Sequence, residues 1–241
     1  MPSPFVLGSG GVLSIRFKTS SPLFSSTCLL VSVMPQPLSK VLPKCSYRIG
    51  NIGDRALSER PKLAVLAMEA IASWANVEAY LLATFIQLMG GKDNRAASVY
   101  LSLNSQAPKT QAIQAVARGV LTKEQKAVLD AILSIAKTNQ PHRDRIAHGV
   151  WGVSDDLPDA LLLTTNTAMH SSYVSKEDIL VYREIDFKQI IEANDRLCGY
   201  AGTFWHVARG RRGKEPKPKA SDVVSLLSLV PEIQERLNRR A

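Results

Sequence analysis

The most regular apolar pattern in the chain runs from residue 61 to residue 90, over "PKLAVLAMEAIASWANVEAYLLATFIQLMG". Apolar residues recur there at steps of three and four, and no proline or glycine interrupts the pattern between its two ends. Pro61 suits the first position of a helix, and Gly90 with Gly91 suits its end. We predict one long helix, which needs several neighbours and therefore belongs to a bundle. The residues predicted to face the core are Trp74, Val77, Leu81 and Phe85.

Three further helical patterns follow this segment. Asp93 can cap a helix over "NRAASVYLSL", and the next pattern is "TQAIQAVARGVL". Thr122 and Gln125 have the spacing of a capping box for "KEQKAVLDAILSIAKT". Pro141 is expected to end or kink that helix and to start a short new one over "HRDRIAH". Gly149 is expected to end the short helix in a left-handed conformation.

The segments "DALLLTTNTAM" and "DILVYREI" differ from the helical patterns, because they are rich in Leu, Thr, Val and Ile. They predict a pair of short strands or an extended excursion. Asp186 can cap a helix over "FKQIIEANDRLCGYAGTFWHVAR", and Ser221 and Asp222 can open a last one. The predicted fold class is therefore mainly α: a bundle with a short extended or β-hairpin excursion and a C-terminal helix.

The first 56 residues look unlike the remainder, because they are rich in Ser, Pro and Gly and lack a sustained period. We expect residues 1–56 to be disordered and to stay outside the core. Met34 is an alternative start of translation to Met1. The rest divides into a helical domain over 57–208, a basic linker over 209–220 and a C-terminal helix over 221–241.

Composition narrows the class of protein. The chain has 241 residues, 45% of them hydrophobic, which is enough to bury a sizeable core. A net charge of +9 favours polyanionic partners such as RNA. The three cysteines, at 28, 45 and 198, have no disulfide or zinc spacing, so we expect a reducing, cytoplasmic setting. No segment looks apolar enough to span a bilayer, and no membrane partner is expected.

Candidate chemistry is concentrated in "QPHRDRIAHGVWG", residues 140–152. Arg143 and His148 are five residues apart, about 140° around an ideal helix. At a helix end, however, His148 can turn back towards Arg143 or towards a partner subunit. An arginine grips phosphate with two parallel hydrogen bonds, and a histidine can transfer protons near neutral pH. Together they suffice for RNA cleavage without a metal, in which the histidine moves a proton and the arginine stabilises the charged phosphorane.

The segment "RDRIAH", followed by "GVW", resembles the R-x4–6-H signature of the HEPN superfamily (higher eukaryotes and prokaryotes nucleotide-binding). With the helical patterns, the resemblance covers roughly residues 60–208. It makes Arg143 the motif arginine, Asp144 its polar neighbour and His148 the motif histidine. It implies a bundle of four or five helices and a homodimer that pairs the arginines and histidines of two subunits in one cleft.

The activity that the resemblance implies is that of a metal-independent endoribonuclease in a toxin–antitoxin, phage-defence or RNA-processing system. RNA would be the substrate, an antitoxin or other protein a further partner, and no cofactor or metal would be required. The alternative is a non-catalytic helical module that binds RNA, nucleotide or a protein partner. The same residues serve catalysis and binding, whereas an accidental resemblance predicts that Arg143 and His148 point apart or bond locally.

Three other charged residues are candidates for supporting roles. Arg145 contacts phosphate or is solvated, and Asp144 orients Arg143 or faces water. Glu78 lies within an otherwise apolar helix, so it either reaches the site and orients an arginine or histidine, or lies on the solvated face.

Overall fold

The computed structural model describes residues 35–50, 55–91, 94–166, 174–209 and 220–239. The chain divides into two units, residues 1–32 and 33–241, and every described residue belongs to the second. This unit is mainly helical and carries a small antiparallel sheet, as the sequence predicts.

The described helices, in chain order, are α1 (Leu38–Val41), α2 (Ala56–Glu59), α3 (Pro61–Leu88), α4 (Asn94–Leu101), α5 (Gln106–Val120), α6 (Lys123–His148), α7 (Glu184–Arg209), α8 (Ala220–Ser228) and α9 (Pro231–Asn238). The strands are β1 (Gln36–Pro37), β2 (Arg48–Ile49), β3 (Val150–Val153), β4 (Ala160–Thr164) and β5 (Leu180–Arg183).

The long helix α3 confirms the strongest prediction from the sequence. Pro61 is its first residue, and its four predicted core residues are at most 2% exposed. Gly90 and Gly91 follow with φ of 120° and 72°, a conformation that side chains with a Cβ rarely adopt. The C-terminal half of α3 packs with α4 to α9 in one apolar core, which makes this half of the unit a helical bundle.

A five-stranded antiparallel sheet forms the other half, in the order β1-β5-β4-β3-β2. Leu162 of β4 pairs with Val181 of β5, so the two predicted strands are neighbours. Every residue of β4 is buried, because both faces of the sheet are covered. Leu161 and Leu163 pack against α3, α6 and α7, whereas Leu162 packs on the opposite face.

The N-terminal segment covers that opposite face, which corrects the expectation that residues 1–56 stay outside the core. Residues 35–50 supply both edge strands, and Leu38 is 0% exposed beneath Leu162 and Val181. The Leu38 N–H also donates to the Ile179 carbonyl at 2.7 Å. Residues 1–34 and 51–54 lie outside the described residues.

Helix α6 corrects a second expectation, because it continues through Pro141 to His148 as one helix. Pro141 and Lys137 are both exposed, so the Lys137 carbonyl that loses its usual N–H donor faces water. The predicted capping box is present: the Thr122 side chain accepts from the Gln125 N–H, and the Gln125 side chain accepts from the Thr122 N–H.

The ends of the later helices also differ from prediction. Helix α7 begins at Glu184, and the Asp186 carboxylate caps it from within by accepting the Arg183 N–H at 2.7 Å. The predicted C-terminal helix is two helices, because Pro231 starts a new one after Val230. Asp93 and the linker residues 210–219 lie outside the described residues.

Helix α3 is long and apolar enough to cross a membrane, contrary to the expectation that no segment reaches this limit. Core helices of soluble proteins meet the same criteria of length and composition. In this fold one side of α3 is buried against the bundle and the sheet.

Candidate functional site

The candidate site lies where the bundle meets the sheet, at the C-terminal end of α6. The helix ends at Gly149, and the chain enters β3 at once. Gly149 has φ −78° and ψ 166°, so the predicted left-handed stop is wrong. A Cβ at this position would lie 2.5 Å from Leu163 Cδ1 and 2.6 Å from the Arg145 carbonyl oxygen. Glycine is therefore required by the close approach of β4 rather than by its φ angle.

Arg143 and His148 meet at this helix end. The Arg143 Nη1 atom lies 3.4 Å from the Nε2 atom of His148, on the exposed surface. A guanidinium group only donates hydrogen bonds, so this contact is made by an unprotonated Nε2. As a hydrogen bond, the contact uses the Nε2 lone pair, and it places a fixed positive charge beside the His148 ring.

Asp144 contacts the arginine. The Arg143 Nη1 atom donates to Asp144 Oδ1 at 3.1 Å, and Gln140 donates to Asp144 Oδ2 at 3.0 Å. The Arg143 Nε atom is buried and has no hydrogen-bond partner within the described part of the chain. The side chain of Arg143 is 30% exposed, so its terminal nitrogens are what an anion can approach. Asp144 thus contacts Arg143 directly, and its orienting role stays a prediction.

A cavity of about 310 Å³ opens beside His148, between the last turn of α6 and the strands β4 and β5. Leu163 and Leu180 supply apolar walls. Its polar lining comes from Asp144, Arg145, His148, Thr164, Thr165, Asn166 and Asp178. The size and the mixture of apolar walls with a few polar groups are typical of small-molecule and nucleotide sites.

Two residues of this lining have no signal in the sequence. Asn166 follows β4, and its side-chain amide donates to the His148 carbonyl at 3.0 Å, which ties the end of α6 to the sheet. Asp178 precedes β5, and its carbonyl accepts from the buried Thr164 hydroxyl at 3.0 Å. Both reach the site through the pairing of β4 with β3 and β5, which sequence spacing alone does not reveal.

Arg145 lines the cavity and also acts on the buried Tyr182 and the half-buried His142. Burial raises the pKa of Tyr182 to about 12, and the positive charge of Arg145 opposes that shift. Burial lowers the pKa of His142, and Arg145 lowers it further. His142 is therefore held neutral within the fold, one residue before Arg143.

Glu78 stands apart from the other predicted site residues. Within the described ranges it has no contact with Arg143 or His148. Its charge acts instead on Tyr100, whose hydroxyl is buried beside Phe85 in the bundle core. The structure thus brings together Arg143, Asp144, Arg145 and His148, and leaves Glu78 among the bundle helices.

No protein-family model, curated protein or solved structure matches this chain. Within the described residues, no group of three or more His, Cys, Asp or Glu side chains is placed to hold a metal ion.

Proposed function

We propose that this chain is a HEPN-like, metal-independent endoribonuclease in which Arg143 and His148 cleave RNA. The observation that carries the proposal is the 3.4 Å approach of Arg143 Nη1 to His148 Nε2 at an exposed helix end. A proton acceptor and a phosphate-binding cation are thereby held at one point on the surface.

The chemistry follows from these two groups. When a bound phosphate takes the donors of Arg143, His148 Nε2 is released from that contact and takes the proton of a ribose 2′-hydroxyl, and the 2′-oxygen attacks the adjacent phosphorus. Arg143 stabilises the negative charge of the pentacoordinate phosphorane as the bond from phosphorus to the 5′-oxygen breaks. The 5′-oxygen leaves with a proton, and the products carry a 2′,3′-cyclic phosphate and a 5′-hydroxyl.

A homodimer would complete this scheme. In-line attack places the 2′-oxygen and the leaving 5′-oxygen on opposite sides of the phosphorus, so one histidine accepts the 2′-proton and a second histidine delivers a proton to the 5′-oxygen. A second copy would bring a second exposed histidine to the phosphate, as the resemblance to HEPN proteins implies. The net charge of +9 favours the approach of a polyanion.

A binding module is the second candidate, and the cavity beside His148 favours it. A volume of about 310 Å³ accommodates a nucleotide, and Arg145 lies at its edge. Such a module would use Arg143 and Arg145 to hold phosphate without transferring a proton.

A role as a toxin or in phage defence, with an antitoxin partner, belongs to the nuclease proposal, because it requires the nuclease activity.

The test is incubation of the purified protein with end-labelled RNA in excess chelator, followed by analysis of the product ends. We expect cleavage that leaves 2′,3′-cyclic phosphate or its hydrolysis product. Cleavage that stops with chelator, or that leaves a 5′-phosphate, contradicts the mechanism. Tight binding of RNA without cleavage would contradict the nuclease function and support the binding module.

A further inference from the structure

Helix α3 carries a second apolar stripe on the side away from its buried face. Its positions follow one another at alternating steps of three and four, the spacing of a seven-residue repeat. We call this stripe the α3 seam, and its members are Val65, Met68, Ala72, Ala75, Ala79, Leu82, Ile86 and Met89. All eight are apolar, in a chain that carries 30 basic and 21 acidic residues.

The α3 seam is largely open to solvent. Val65 is 57% exposed, Met68 is 64% exposed and Met89 is 51% exposed. The three alanines are also exposed, whereas Leu82 and Ile86 are partly buried against the bundle core. A continuous apolar stripe of this length is uncommon on the surface of a monomer and is typical of a contact site.

The order of side-chain sizes along the α3 seam identifies what covers it. Larger residues lie at both ends, and three alanines lie in the middle. When two copies run antiparallel about the level of Val77, Val65 meets Met89 and Met68 meets Ile86. Leu82 then fills the space beside Ala72, and only Ala75 and Ala79 meet as a pair of small residues. A parallel pair would place three successive alanine layers against each other and leave the middle poorly filled.

We propose that the α3 seam is the interface of an antiparallel homodimer of this chain. A two-fold axis places the same surface on both copies, and the seam is complementary to itself in that arrangement. The inference rests on α3 alone, and neither on the proposed nuclease activity nor on the dimer that would pair two copies of His148.

The dimensions of the α3 seam set the strength of the contact. From Val65 to Met89 it is about 36 Å long, and a helix with its side chains is about 10–12 Å wide. Each copy would therefore bury on the order of 400 Å², and the pair on the order of 800–900 Å². This is below the usual size of a stable interface, so we expect a weak dimer that forms as concentration rises.

The first test is sedimentation velocity of the full chain over a concentration series. We expect the mass to rise from 26.4 kDa towards twice that value. Ala75→Glu should stay monomeric at every concentration, because the dimer would bury a carboxylate beside the two-fold axis. Ala115→Glu, at an exposed position of α5, is the matched control and should dimerise like the wild type. Circular dichroism must show that both variants keep the wild-type fold.

The direction of the helices is tested by disulfide crosslinking. A mixture of the Val65→Cys and Met89→Cys variants should form a linked dimer with one copy of each, and neither variant alone should link through its new cysteine. Self-linking of Val65→Cys would contradict the antiparallel arrangement. A wild-type protein that stays monomeric throughout, or an Ala75→Glu variant that dimerises normally, would overturn the interface. Loss of binding to lipid vesicles in monomeric Ala75→Glu would assign the seam to a membrane surface instead.

Discussion

The Nη1 atom of Arg143 lies 3.4 Å from the Nε2 atom of His148, although the residues are five positions apart on one helix. On a straight helix they point about 140° apart. They meet because α6 ends at His148, where the side chain is exposed and can turn back along the helix. The next residue, Asp144, accepts a hydrogen bond from Arg143, and Gln140, one turn earlier, donates to Asp144.

Arg143 is predicted to act through its planar fork of donors. Arg143→Ala should lower the rate of RNA cleavage roughly 100- to 1,000-fold, because the loss of one charge-stabilising group costs about 3 kcal/mol. Arg143→Lys should recover little of that loss, because an ammonium group cannot form two parallel hydrogen bonds with a phosphate. Single-turnover rates measure both effects. Arg118→Ala, at an exposed position of α5, is the matched control and should cleave at the wild-type rate.

Asp144 is predicted to position Arg143 rather than to take part in the reaction. Asp144→Asn weakens the contact that fixes the guanidinium, and a misplaced group of this kind costs roughly 10- to 100-fold in rate. The loss should fall on kcat, with KM nearly unchanged, because RNA would still bind. Asp155→Asn replaces a carboxylate that is 82% exposed and should leave both constants unaltered. An equal loss in the two variants would remove the positioning role.

The N-terminal segment is predicted to stabilise the sheet. Leu38 is 0% exposed on the face that α3 does not cover, so Leu38→Ala should lower the free energy of unfolding by about 2–5 kcal/mol. The same substitution at Leu101, which is 63% exposed, should change it by less than about 0.5 kcal/mol. Urea denaturation followed by circular dichroism measures both. If Leu38→Ala is as stable as the wild type, the packing of residues 35–50 on the sheet does not stabilise the fold.

Half-buried His142 is predicted to make stability depend on pH. Burial and Arg145 lower its pKa in the folded chain below the value of about 6.5 that it has when unfolded. The unfolded chain then binds the proton more readily, so stability is full above about pH 6.5 and falls as the pH drops towards the folded pKa. His142→Asn should lose less stability than the wild type between about pH 7.5 and 5. Thermal unfolding measures both proteins. If the wild type and His142→Asn lose the same stability over this pH range, His142 does not titrate with a lowered pKa.

The parts of the fold that sequence predicts are those set by local patterns. The stripe through Trp74 and Val77 places α3, and the spacing of Thr122 and Gln125 places the start of α6. The prediction that Pro141 ends or kinks the helix was wrong. Whether a proline interrupts a helix depends on whether the carbonyl four residues earlier, here that of Lys137, can reach water, and the sequence does not show this. The two edge strands were not predicted, because Gln36–Pro37 and Arg48–Ile49 are too short to show a period of two.

One signal in β4 could have located the N-terminal segment. "ALLLT" is apolar without alternation, which indicates burial on both faces. A second covering element was therefore needed, because the helices cover only one face of the sheet.

The candidate site also has a part that local sequence predicts and a part that it does not. Arg143, Asp144 and His148 could be predicted together because they are close in sequence. Asn166 and Asp178 join them only through strand register. The two alternatives for Glu78 stayed open because a position on a helix does not by itself fix what the side chain faces.

The central claim is that His148 transfers a proton during RNA cleavage, and the most direct measurement is the single-turnover rate of His148→Ala in excess chelator. General acid–base catalysis by one histidine contributes about 10²–10⁴-fold. We predict that His148→Ala loses at least 100-fold in rate while it keeps the wild-type melting temperature and RNA affinity. Lys137→Ala, an exposed change on the same helix, should cleave normally. Undiminished cleavage by His148→Ala would contradict the account.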